Sequence, residues 1–247
     1  MFVVRLSEGT GIAIGSFERG ENRRFQYNPD EFGFPDTGRD FNGRLRSAEG
    51  VLFLGYGITR SIAVAFEAAI AAETFRKASN DASGLPARLH ESGLGDVQAE
   101  VDVRLFGQGI LRPGGFLVTE VVFPHSKNRR LIGSPGLLIR PALGAYKNVG
   151  RAIILARLAG EYDSDSGTQL DWGEWGLEVG VAAMKSLRLA AGFEGTVGGA
   201  NNFDEVSLVT DLQWMASGTF GFRAQSGTGF TEHSRGFSPE VGLMIRF

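Results

Sequence analysis

The chain has 247 residues, a net charge of −3, 36 glycines, 19 phenylalanines, 8 prolines and no cysteine. Disulfide staples and thiolate metal sites are thereby excluded, and the charge gives no electrostatic basis for nucleic-acid binding. No run reaches the roughly 20 apolar residues of a membrane helix, but a transmembrane barrel would not show one, because its lipid-facing and lumen-facing residues alternate.

Taken in chain order, the predicted elements share a period of two. A first strand is expected within Gly11–Tyr27, and residues 1–42 hold it together with a long loop. Ile62, Val64, Phe66, Ala68 and Ile70 fall on one face, with Glu67 opposite. The strongest segment follows: Val97, Ala99, Val101, Val103 and Leu105 alternate with Gln98, Glu100, Asp102 and Arg104. Successive strand side chains point to opposite faces, so this segment has one apolar and one charged side, whereas a helix would spread the charges around its circumference. Ile154, Ala156 and Leu158 oppose Arg157; Trp175, Leu177, Val179 and Val181 oppose Glu174 and Glu178; Leu187, Leu189 and Phe193 oppose Arg188 and Glu194. Val206, Leu208, Leu212 and Trp214 alternate with Ser207, Asp211 and Gln213, and Val241, Leu243, Ile245 and Phe247 with Glu240, Gly242 and Arg246.

About twelve such segments fit an all-β closed antiparallel transmembrane barrel, residues 1–247 forming a single domain. The connections support this. Short links near Gly57–Arg60, Gly107–Gly114, Lys147–Gly150, Met184–Ser186 and Ala216–Thr219 alternate with longer ones at Asn28–Asn42, Lys77–Leu94, Pro124–Ser134, Asp163–Leu170, Val197–Asp204 and Ser226–Gly236. Bacterial outer-membrane barrels separate short periplasmic turns from longer outer loops in this way. Aromatic residues near segment ends, Trp175, Trp214, Phe193 and Phe247 among them, suit interfacial girdles. A soluble sandwich would also alternate, but with its charged face outside. Export would need a basic start, an apolar core and a small-residue cleavage site. Met1-Phe2-Val3-Val4 runs at once into Arg5, Ser7 and Glu8, so a leader is expected ahead of this sequence.

Tyr56-Gly57-Ile58-Thr59, Ser92-Gly93-Leu94-Gly95-Asp96 and the ending Gly242-Leu243-Met244-Ile245-Arg246-Phe247 resemble, in order and spacing over roughly residues 43–247, an outer-membrane barrel family, the MetA pathway of phenol degradation. The resemblance implies a channel or transporter, often associated with aromatic degradation. The ending also matches the terminal-phenylalanine signal read by the barrel-assembly machinery, which makes Phe247 the assembly residue. Where many members carry a Pro-Thr-Gly turn, this chain has Phe123-Pro124-His125-Ser126, so that loop does not carry over.

Catalytic signatures are few. No HExxH, P-loop or GxSxG motif occurs. His125-Ser126 and His233-Ser234 are adjacent pairs, and neighbours on a strand point apart, so neither readily forms a serine–histidine hydrogen bond. Asp163, Asp165 and Gly167 echo a calcium loop without its remaining ligands; neither metal nor cofactor is expected. Lys127, Arg129 and Arg130 form a basic patch in an outer loop that can pair with lipopolysaccharide phosphates or simply be solvated.

The inner face carries the functional expectation. Glu67, Glu100, Asp102, Arg104, Glu120, Arg140, Arg157, Glu174, Glu178, Arg188, Glu194, Asp211, Arg223 and Arg246 all fall on it. Glu100, Asp102 and Arg104 are expected to face Arg140, Arg157 and Arg188 and to form the constriction. Such charges either select small solutes or only fill the lumen. The sequence thus predicts a porin-like channel for passive uptake of small solutes, aromatic or hydrophobic compounds among them. The alternatives are a lipid-modifying outer-membrane hydrolase and a structural barrel with a plugged lumen. The expected partners are outer-membrane lipids, lipopolysaccharide, the assembly machinery and the solute.

Overall fold

A computed structural model of the chain describes residues 6–124, 131–165, 170–197, 205–231 and 236–247. Twelve strands follow one another: β1 (Gly11–Tyr27), β2 (Phe41–Gly57), β3 (Ile62–Arg76), β4 (Arg88–Phe106), β5 (Gly114–Phe123), β6 (Leu138–Val149), β7 (Ala152–Asp163), β8 (Asp171–Ala182), β9 (Leu187–Thr196), β10 (Glu205–Met215), β11 (Phe220–Gly229) and β12 (Phe237–Arg246). Each pairs antiparallel with its neighbours in sequence, and β1 pairs with β12, closing the barrel. At the seam Phe17 stands opposite Val241, and Gly11 and Phe247 exchange backbone hydrogen bonds of 2.7 and 3.0 Å. The Phe247 ring lies so close over Gly11 that a β-carbon there would come within 2.2 Å of it. Only glycine permits that contact.

The strands read as the alternation requires. Phe17, Leu52, Ile70, Val101, Leu158, Leu177, Leu243 and their outward neighbours stay accessible on the outer surface, which forms a continuous apolar belt. A chain in water would not leave so much apolar surface uncovered; in lipid this belt is the buried face. Aromatic residues border it at both rims. At the turn end Trp214 stacks on Phe222 at 5.7 Å and Phe220 packs edge-on to Phe222 at 5.2 Å; at the loop end Phe193 lies 6.4 Å from Phe230, and Trp172, Phe123 and Phe237 are exposed at the same end of their own strands.

Short turns and long loops do segregate to opposite ends, with two corrections to the expected boundaries. The strand β4 starts at Arg88, where the sequence pattern suggests loop until Leu94, and β11 runs on to Gly229 rather than ending before Ser226. Both extensions are polar on their outward side, so they lack the apolar alternation that marks a strand within lipid. Register shifts in the β1–β2 pairing (Asn22/Phe25), the β3–β4 pairing (Ala68/Ile70) and the β4–β5 pairing (Arg104/Phe106) mark β-bulges. A bulge changes which residues face inward beyond it, and simple alternation cannot foresee that.

Placing arginine in the belt, at Val101 or Leu208, is expected to destabilise the barrel by about 2–4 kcal/mol where the residue lies near mid-bilayer. The inward Ser207→Arg is expected to cost much less. Urea titrations of folding into phospholipid vesicles measure both; equal losses on the two faces would show that inside and outside are misassigned.

Candidate functional site

Alternation and register place Glu67, Glu100, Asp102, Arg104, Arg140, Arg157, Glu174, Glu178, Arg188 and Asp211 on the inner wall. Their partners differ from the expected ones. Arg140 does not face the Glu100–Arg104 segment across the lumen. It bridges its neighbours on adjacent strands, donating to Glu120 at 3.0 Å and to Glu161 at 2.6 Å. Arg157 reaches Glu194 at 3.3 Å across the strand that carries Gly176. Arg223 donates to Asp211 at 2.6 Å and to Gln225, and stands 3.9 Å from Glu240. Glu67 accepts from Gln98 at 2.8 Å, and Arg104 donates to Ser61 at 3.3 Å.

The reason is local. Side chains opposite each other on neighbouring strands lie about 5 Å apart, so lateral partners meet before partners across the lumen do. Glu100 faces Glu120 and Glu120 faces Arg140 in successive pairings, which produces a lateral row of Glu100, Glu120, Arg140 and Glu161. Glu100 is 7% exposed and Asp211 5% exposed. One oxygen of Asp102, Oδ1, is buried with no hydrogen-bond partner among the described residues. Glu174 stands opposite Ala159 and Thr196, and Glu178 opposite Leu155 and Gly192. Glu161, the second partner of Arg140, escaped the sequence reading although it shares its face with Arg157 in β7.

The lumen is also less uniformly polar than the alternation implied. At the loop end the inner faces of β1 to β3 carry Tyr27, Phe41 and Phe75, which pack with Phe32 and Leu85 into a buried cluster. Tyr27 and Phe75 are fully buried, their rings edge to face at 4.7 Å. Phe32 belongs to a single 3-10 turn, Pro29–Phe32, capped by Asn28, and Leu85 to the 77–87 connection. The Tyr27 hydroxyl accepts the Ala78 N–H at 2.9 Å and donates to Asp81 at 3.0 Å. Leu131, beyond β5, packs on the same cluster, and its N–H donates to Glu91 of β4 at 2.9 Å. Three outer connections are thus tied into one apolar cap over the β1–β5 side of the mouth.

At the turn end the wall is lined differently. Phe116, Tyr146 and Leu155 form a buried inward cluster. A β-carbon on Gly144 would lie 2.0 Å from the Phe116 ring, so glycine here lets the ring lie flat against the wall. This cluster borders a cavity of about 610 Å³ whose polar lining includes Arg104, Arg151, Arg188, Asp102 and Asp211. Arg151 and Arg188 form no ion pair among the described residues. The lumen therefore has three levels: an apolar cap, a charged girdle and an amphipathic cavity.

Of the remaining candidates, His90 sits on the outward side, its Nδ1 2.9 Å from the Thr74 hydroxyl. His125, Ser126, Lys127, Arg129, Arg130, Gly167, His233 and Ser234 lie outside the described residues. Asp163 accepts the Asp165 N–H at 2.8 Å.

No family model matches the chain, and no curated protein matches it in sequence. Solved structures do. An outer membrane channel from Pseudomonas putida F1 superposes with a TM-score of 0.73 at 15% identity, covering 98% of this chain and 97% of that one. The KdgM porin in complex with disordered oligogalacturonate gives 0.58 at 10% identity, over 94% and 99%. The translocator domain of the autotransporter NalP from Neisseria meningitidis gives 0.57 at 11% identity, over 99% and 91%. The fold is that of outer-membrane β-barrels.

Two outcomes follow from this geometry. Arg140→Ala leaves Glu120 and Glu161 without their shared cation and is expected to cost about 1–3 kcal/mol, less than a fully buried pair because Arg140 is partly solvated. Adding Glu161→Gln should recover part of that loss, and a double-mutant cycle in denaturant titrations reads the coupling directly. The second outcome concerns pH. Burial raises the Asp81 carboxyl, but hydrogen bonds from Ser83 and Tyr27 outweigh it and hold the group below its ordinary 3.8. Its contribution to the cap is complete above 3.8 and is lost as the pH falls through the lowered value. The protection factor of the Ala78 amide in hydrogen exchange is expected to drop over that acid range, and Asp81→Asn should abolish the dependence. An unchanged profile would place the cap's stability elsewhere.

Proposed function

We propose that the protein is an outer-membrane channel through which small solutes with apolar or aromatic bodies pass by diffusion. The observation that carries the reading is the amphipathic cavity inside the turn end of the barrel. Its volume lies within the range of small-molecule sites. Buried aromatic and aliphatic side chains form one part of its lining, and the guanidinium groups of Arg104, Arg151 and Arg188 another. The fold shared with outer-membrane channels supports the same reading, and so does the resemblance of the Tyr56–Thr59, Ser92–Asp96 and closing segments to the family linked with phenol degradation.

On this reading the girdle is the narrowest part. Glu67, Glu100, Asp102, Glu120, Arg140 and Asp211 would act as the polar filter, with Arg157, Glu174 and Glu178 beside it and Arg104 and Arg188 facing the cavity. Fixed charges of both signs admit small polar groups while excluding large hydrated ones. Outer-membrane lipids surround the belt, and Phe247 serves the assembly machinery as its recognition residue. A second reading, a structural barrel with a closed mouth, is favoured by one observation: the apolar cap ties three outer connections together.

The two separate in planar bilayers. The channel reading expects a small single-channel conductance, well below that of a wide porin. It expects the conductance to rise in Glu120→Ala with Arg140→Ala, with faster liposome swelling by small sugars. Wild-type proteoliposomes should also take up phenol faster than protein-free vesicles. If neither protein conducts while both remain heat-modifiable barrels, the closed-mouth reading replaces this one.

A further inference from the structure

The outward face of the barrel changes character abruptly at the loop end of β2 to β4. On β2 the outward residues Tyr56, Leu54, Leu52, Gly50 and Ala48 give way to Arg46 and Arg44. On β3, Phe66, Ala68, Ile70 and Ala72 give way to Thr74 and Arg76; on β4, Leu94 and Ser92 give way to His90 and Arg88. Arg46 therefore stands in the first row beyond Ala48, Ala72 and Ser92, and Arg44, Arg76 and Arg88 stand in the second.

Their register is unusual. Arg44 stands opposite Arg76, and Arg76 opposite Arg88, so three guanidinium groups lie side by side on adjacent strands. Like charges placed directly opposite are destabilising, and none of these three forms an ion pair among the described residues. Only Arg46, in the adjoining row, is partly neutralised, by Glu21 at 3.1 Å. Together with Thr74 these four arginines enclose a cleft of about 110 Å³, room for one tetrahedral anion with its nearest waters. Guanidinium forks hold phosphate oxygens in a bidentate fashion that ammonium groups do not.

We propose that this row is a binding site for a phosphate of an acylated glycolipid in the outer leaflet, of the kind that anchors lipopolysaccharide. Two features favour a lipid over a free anion. The row stands on the loop side of the apolar belt, beyond the Ala48, Ala72 and Ser92 row and the Arg46, Thr74 and His90 row, on the side where headgroup phosphates would lie. Three to four rows further down the same strands, within the belt, the outward face is hollowed by small residues: a β-carbon on Gly15 would meet nothing within 4 Å, and one on Gly50 only a backbone oxygen at 4.0 Å. Phe17, Leu52, Ile70 and Leu94 border this apolar groove, which accommodates acyl chains continuous with the bound headgroup.

The test compares wild type with Arg44→Gln/Arg76→Gln/Arg88→Gln, both folded in a neutral detergent and checked by heat-modifiable mobility. Diphosphoryl lipid A, dephosphorylated lipid A, phosphatidylglycerol and inorganic phosphate are the probes, with native mass spectrometry and thermal unfolding as readouts. Wild type should retain diphosphoryl lipid A at least tenfold more tightly than the triple variant, and more tightly than it retains the other three probes. Lipid A should raise the unfolding temperature of wild type only. Without lipid, relief of the arginine repulsion should leave the variant at least as stable as wild type. Arg76→Gln alone, should the triple variant fail to fold, is expected to weaken retention severalfold. Equal retention by wild type and variant overturns the site, as does equal binding of dephosphorylated lipid A or phosphatidylglycerol. Inorganic phosphate binding as tightly as lipid A would make it a site for free anions and overturn the lipid.

Discussion

Every structural choice in this chain follows from one constraint: backbone N–H and C=O groups within a membrane must find partners inside the protein. A sheet meets it only by closing, and closure here depends on pairing the two strands most distant in sequence, β1 and β12. Once the sheet is closed, the pleat divides the side chains between a lipid face and a lumen with no further freedom. The apolar belt, the aromatic rims and the charged girdle are what that division leaves on each side.

Within the lumen, proximity along the wall decides which charges meet. Arg140 and Arg223 take carboxylates from the strands beside their own, and Arg157 reaches one strand further, over Gly176 to Glu194. Such lateral pairs neutralise the wall without bridging the interior, so a charged lumen need not be a sealed one. The apolar surfaces at its two ends act in different ways. At the loop end they bury Tyr27 and Phe75 and fix the connections above them, and burial of each ring is worth about 1.5–3 kcal/mol. At the turn end Phe116 and Tyr146 border open volume. The same residue types thus serve order in one place and accessible surface in the other.

Much of this was legible from the sequence because alternation is a one-dimensional signal. Val97–Leu105 declares its two faces without reference to any other strand, and the lengths of the connections declare which end is which. Partnerships were not legible. That Arg140 meets Glu161 depends on the register between β6 and β7, to which no pattern within either strand refers. The aromatic cap escaped for another reason. Tyr27 and Phe41 flank the first outer connection, beyond the lipid-facing alternation, and the β1 bulge between Asn22 and Phe25 resets which residues turn inward. The Phe116–Tyr146 cluster likewise needs Gly144 on the neighbouring strand to make room.

The seam between Gly11 and Phe247 also governs time. A β-sheet grown from one end gains a protected strand with each addition but keeps two unpaired edges throughout. Here those edges find each other only after β12 has been made, so every shorter intermediate exposes strand edges open to pairing with another chain. Contacts of such long sequence separation form late and slowly. The chain is therefore most vulnerable to aggregation just before it is complete, and it depends on being held apart from its copies until the first strand can receive the last.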